Sequence, residues 1–162
     1  MDEIERQVVA TGGCQCGAVR YATYAAPEGS VCHCRMCQKA TGGLFAALAK
    51  VDKADLVWTR GEPASFRSSP AAWRDFCAAC GTPLTFRFVD AVHMEVTIGS
   101  LDHPELAPPK LNFGAESRLP WIALLKHSGS TTSVCPTALL TISLKSFYWD
   151  LTAIRSMSIR AW

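Results

Sequence analysis

A chain of 162 residues fits one domain and is long enough to bury a core without disulfide support. At 49% hydrophobic and 19% charged, with a net charge of +2 and no Lys or Arg block, it gives no footprint for a nucleic-acid partner. No apolar run nears the ~18 residues of a membrane span, and MDEIERQVVATGG lacks the pattern of a secretory signal, so the expectation is a cytoplasmic protein with no membrane partner.

In chain order the predicted elements are mostly short strands. Gly12-Gly13 lead into Cys14-Gln15-Cys16, and Ala18–Tyr24 then alternates in part. Cys32-His33-Cys34-Arg35-Met36-Cys37 opens a brief helical turn, Arg35–Thr41, closed by Gly42-Gly43. Strands follow at Leu44–Val51, Leu56–Arg60, Ala64–Ser68 and Trp73–Cys77. Past Cys77-Ala78-Ala79-Cys80-Gly81, a strand over Leu84–Val89 sets Leu84, Phe86 and Phe88 on one face and Thr85, Arg87 and Val89 on the other. His93–Ile98 turns Met94, Val96 and Ile98 inward and His93, Glu95 and Thr97 outward. Pro104, Pro108 and Pro109 mark an irregular loop, and Trp58, Trp73 and Trp121 read as core or sheet-packing residues. There is no internal repeat and no dividing linker. Residues 1–125 read as one β domain; residues 126–162, rich in Ser, Thr and large apolar groups, read as an atypical segment, packed on that domain or partly disordered.

The cysteines carry the chemistry. Seven of the eight fall in three groups before residue 81, and Cys135 stands alone. In a reducing compartment clustered thiols bind metal or react rather than pair. Neighbours two apart would also close a strained disulfide ring. Zinc takes four thiolates at about 2.3 Å in a closed tetrahedron, and Cys14 and Cys16 with Cys77 and Cys80 make one complete structural set. Cys32, Cys34 and Cys37 remain as three, the number that leaves a coordination position for a substrate. Two alternatives stay open: the trio shares ligands with the Cys77–Cys80 knuckle, or His33, His93, His103 or Cys135 completes it.

In this order, GGCQCGAVRY, CHCRMCQKATGG, FCAACGTPL, IGSLDHPE and ESRLPW resemble the glutathione-dependent formaldehyde-activating enzyme and centromere protein V family, over about Gly12 to Trp121. The resemblance implies a mostly β, zinc-stabilised beta-tent. It also implies a structural zinc on Cys14, Cys16, Cys77 and Cys80, and a second zinc on Cys32, Cys34 and Cys37 near where glutathione binds. The implied activity is that of a carbon–sulfur lyase on a glutathione–aldehyde adduct, in which the trio is catalytic. Arg35, Lys39 and Arg74 are then candidates for the glutathione carboxylates, since cations suit that grip. His33 is either a support for the ligands or a general base, or else a turn residue facing water. The competing readings are a non-enzymatic zinc-stabilised binding module and a lyase for another thiol. Self-association into a homo-oligomer is left open.

Overall fold

The computed structural model describes residues 6–126, so Cys135 and the atypical segment from residue 127 onward lie outside the described residues. The described chain is mostly β. Its strands are β1 (Ala10–Gly13), β2 (Arg20–Thr23), β3 (Glu28–Cys32), β4 (Ala46–Asp52) and β5 (Leu56–Arg60). They continue with β6 (Ala64–Ser69), β7 (Ala72–Phe76), β8 (Pro83–Phe88), β9 (His93–Thr97) and β10 (Leu111–Phe113). One α-helix, α1, spans Arg35–Thr41, and short 3-10 turns fill several connections.

Two sheets result. A three-stranded sheet runs β1-β2-β5, and a seven-stranded sheet runs β10-β3-β4-β9-β8-β7-β6. All pairs are antiparallel except β10, which lies parallel to β3. The core lies against the central strands, where Ala49, Leu84 and Val96 are fully enclosed and Tyr21, Val51 and Met94 pack beside them. Burying such side chains contributes about 1.5–3 kcal/mol each for the large apolar ones. Tyr21 is the polar exception in this cluster; its hydroxyl meets Ser100 Oγ at 2.8 Å, so no donor is stranded. Among the described residues no helix is long and apolar enough to cross a membrane.

Most sequence-predicted strands are present, with ends shifted by a residue or two. The inward set Met94, Val96 and Ile98 is buried as expected. The face assignment in β8 needs correction: Leu84 is buried, but so is Thr85, while Phe88 and Val89 are both exposed. Both faces are covered at the start of this strand and neither at its end. Trp121, expected in the core, is exposed; Trp58 does pack, edge-on to Tyr21 with ring centroids 5.8 Å apart.

The reason Thr85 is buried is Asp75. This carboxylate on β7 is enclosed and accepts hydrogen bonds from Ser65 on β6 and from Thr85 and Arg87 on β8. Burial alone would raise its pKa, but Arg87, Ser65 and Thr85 outweigh that and hold it below the usual carboxylate range. A depressed folded pKa contributes stability that is fully present above the unfolded value, about 3.9, and is lost as pH falls through the folded one. Asp75→Asn should therefore cost about 1–3 kcal/mol at neutral pH. The gap to the parent should stay constant down to about pH 5 and narrow only below that. Urea unfolding of both proteins across that range checks it; a gap that already closes between pH 7 and 6 contradicts the assignment.

Candidate metal centres

The first centre is built from two knuckles. Cys14 and Cys16 sit just past β1, where the Cys14 carbonyl accepts from Gly17 N–H at 3.1 Å. Cys77 and Cys80 form the turn between β7 and β8, where the Cys77 carbonyl accepts from Gly81 N–H at 2.8 Å. Gly81 has φ +75, a left-handed turn that closes the knuckle and favours glycine. The four sulfurs lie within 4.8 Å of one another. Cys14 and Cys16 Sγ are 3.5 Å apart and Cys16 and Cys77 Sγ 3.8 Å. A zinc tetrahedron with bonds of about 2.3 Å has edges of about 3.8 Å, so the set is already at the spacing the ion needs.

Donors surround these sulfurs. Val19 N–H reaches Cys14 Sγ at 3.2 Å. Thr82 Oγ1 accepts from Gln15 N–H at 3.1 Å and lies 3.1 Å from Cys80 Sγ. With its lone pair engaged by Gln15, the hydroxyl proton is free to point at Cys80. Thr82, through side chain and backbone, holds the Cys80 thiol down to about 5. Cys16, despite the Ala18 N–H, is pushed up to about 12 by the neighbouring sulfurs of Cys14 and Cys80. Crowded sulfurs cannot all ionise by themselves, and a divalent cation removes that conflict. The donor set fits zinc.

The second centre is the end of β3 and the first turn of α1. Cys32 closes the strand, Cys34 is the helix N-cap, and Cys37 lies in the first turn of the helix. Cys34 Sγ accepts from Cys37 N–H at 3.4 Å, so the thiol stands where a Ser or Asp cap would. The three ligand atoms gather within 4.8 Å, and among the described residues no His, Cys, Asp or Glu atom joins them at that spacing. His33, His93 and His103 therefore do not complete the trio here, and the two sulfur groups are separate. Burial pushes the Cys32 thiol up to about 12, assisted by the adjacent Cys34 and Cys37 sulfurs. Burial also acts on Cys34, but the Cys37 N–H and the flanking thiols lower it. The conflict is the same as in the first centre, and so is the remedy.

Residues distant in sequence fix this loop. Gln38, buried in α1, donates to the His33 carbonyl at 2.6 Å and to the Ser117 carbonyl at 3.2 Å. His33 N–H donates to the Phe113 carbonyl at 2.8 Å. Gly114 has φ +62, and a Cβ there would stand 2.7 Å from Cys34 N, so the return strand passes too close for any side chain. His33 is 2% exposed, with Nε2 3.4 Å from Asn112 Oδ1 and its ring edge-on to Phe45. The expectation of a turn residue facing water is corrected: the ring is enclosed by the strand that returns as β10.

Beside the trio is an open cavity of about 440 Å³ between α1 and the face of β6, β7 and β8. Arg74 joins the two: it lines the cavity, and its Nη2 donates to Cys37 Sγ at 3.3 Å. Direct cross-strand partners share a face, and the register sets Phe66, Arg74, Phe86 and Glu95 in one row across four strands. The Arg74 guanidinium lies over the Phe86 ring, 4.7 Å from its centroid. Burial holds the Glu95 carboxyl above its ordinary range, though His93, Arg74 and Lys50 partly offset this.

Of the three cations singled out in the sequence, Lys39 and Arg74 line this cavity. Arg35 instead turns along the helix to Gln38 Oε1. The sequence reading missed Gln38, Asn112 and Thr82, all of which act across long separations. Only Thr82, next to the knuckle, carried a usable signal: a hydroxyl two residues after a ligand.

The family model described as "Glutathione-dependent formaldehyde-activating enzyme" matches residues 9–116. A solved crystal structure of a Rhodobacter sphaeroides protein is similar, with a TM-score of 0.50 and 22% identity, over 63% of this chain and 98% of that one. At that identity the likeness concerns the fold alone.

Proposed function

Because the chain belongs to the glutathione-dependent formaldehyde-activating enzyme family, we propose that it is a zinc-dependent carbon–sulfur lyase acting on glutathione–aldehyde adducts of the S-hydroxymethyl type. The observation that carries this reading is the trio itself: three converging sulfurs, without a fourth donor among the described residues, one of them bonded to Arg74 of the cavity wall.

Zinc on Cys32, Cys34 and Cys37, when bound, supplies a coordination position at which a guest sulfur is kept deprotonated. The chain's residues do the rest. Cys34, as helix cap, ties the ligand loop to α1, and Gln38 clamps the same loop to the Ser117 carbonyl. Arg74 donates to the Cys37 sulfur and so sets a guanidinium beside that ligand. Lys39 and Arg74 give the cavity a cationic wall suited to a carboxylate-bearing thiol. In adduct formation the thiol sulfur bonds to the carbonyl carbon, the carbonyl electron pair passes to oxygen, and the proton given up by sulfur ends there. Cleavage is the reverse, with no net redox change.

Glutathione at about 100 times its dissociation constant should add roughly 2.7 kcal/mol to the zinc-loaded protein, a readily measured rise in Tm. A Tm unmoved by glutathione or any other small thiol would replace this reading with a zinc-stabilised binding module.

A further inference from the structure

The cavity beside Cys37 is larger and more apolar than the smallest adduct needs. A hydroxymethyl group brings one carbon and one oxygen, whereas about 440 Å³ falls within the range of pockets that enclose whole drug-sized ligands. The walls facing that space are Met36 and Ala40 on α1, Phe66 and Phe86 on the sheet, and Pro83 at the knuckle. Phe66 is 61% exposed and Met36 54%, large apolar surfaces that a bound apolar group would cover. Both phenyl rings belong to the cross-strand row that has Arg74 between them. Arg74 bonds to Cys37, so this row starts beside the trio and offers apolar surface to a group attached to carbon next to a sulfur there.

The charges do not contradict an apolar guest. Asp75 lines the cavity but is consumed by Arg87, Ser65 and Thr85. Arg74 gives Nη2 to Cys37 and its face to Phe86, while its buried Nε has no hydrogen-bond partner. Among the described residues Lys39 is the second cation in the wall, suited with Arg74 to a carboxylate at the rim.

We propose that this cavity selects thiol adducts whose sulfur-bearing carbon carries an aromatic or other large apolar group, in preference to the formaldehyde adduct. The inference rests on the lyase reading, in which the sulfur sits at the trio. In that adduct the sulfur is bonded to a carbon bearing a hydroxyl, a hydrogen and the apolar group; cleavage returns thiol and aldehyde, the hydroxyl proton passing to sulfur.

Stable thioethers separate binding from turnover. Calorimetry on the zinc-loaded full chain should find S-benzylglutathione bound at least about tenfold more tightly than S-methylglutathione, since even one methylene in such a pocket is worth about tenfold. Phe66→Ala should reduce that ratio to near unity. Phe66 lies on the edge strand β6 and is largely exposed, so its truncation leaves the core intact. Equal affinities for the two thioethers, or a ratio unchanged in Phe66→Ala, would overturn the proposal even if the formaldehyde adduct is turned over. Conversely, benzyl preference without turnover of any adduct would sustain the cavity's selectivity and remove the lyase reading.

Discussion

Cys77→Ser should leave the protein without a cooperative thermal transition and with at most one zinc per chain. Cys77 is 1% exposed and belongs both to the main apolar cluster and to the four-sulfur group. Structural zinc sites carry apparent binding energies of about 10–16 kcal/mol, as large as the 5–15 kcal/mol that separates most folded domains from their unfolded chains. Two knuckles more than sixty residues apart in sequence are joined here by the four sulfurs and by the Gln15–Thr82 hydrogen bond, so the loss of one ligand removes most of what ties the end of β1 to the β7–β8 turn. Circular dichroism with metal analysis by mass spectrometry reads the outcome. A variant that melts within a few degrees of the parent would show that the four sulfurs are not what joins those segments.

Cys34→Ser should do the opposite: lose one zinc per chain and essentially all turnover while the fold survives. The substitution is chosen for its chemistry. Cys34 caps α1 by accepting the Cys37 N–H, and serine is among the best residues at that position. The helix start is thus preserved while a poor zinc donor replaces a good one. Cys34→Ala would remove ligand and cap together, at a further cost of about 1 kcal/mol. The comparison separates metal loss from helix loss. Retained activity in Cys34→Ser with one zinc per chain would exclude the trio from the chemistry.

The parts of this structure legible in sequence are those set by short-range rules. Arg35–Thr41 is helical as predicted and closed by Gly42, whose φ is +65, whereas its cap, a Cys34 thiol where an oxygen is usual, was not legible. Leu56–Arg60 lies between turn-forming residues and folds as predicted. β1, β3 and β10 were not legible. ATGG and EGSVC carry glycines where a strand pattern has apolar side chains, and LNF is too short to show a period. These strands owe their existence to partners: β10 pairs with β3 from about eighty residues away. In the metal centres, spacing offered the grouping of sulfurs into four and three beside other pairings, and the structure brings those two sets together. The Arg74–Cys37 contact does not, because it depends on α1 lying over β7.

The parallel pairing of β10 with β3 has a consequence for how the chain is made. Synthesis proceeds from the N-terminus, and the trio emerges from the ribosome complete at Cys37, well before Cys77 and Cys80 exist. Its clamps, Asn112, the Phe113 carbonyl and the Ser117 carbonyl, come last of the described chain. The helix cap and the β3–β4 pairing are available early, but the contacts from Asn112, Phe113 and Ser117 become possible only about eighty residues later. A sulfur group drawn from six consecutive residues thus receives its outer support from a strand near the far end of the described chain.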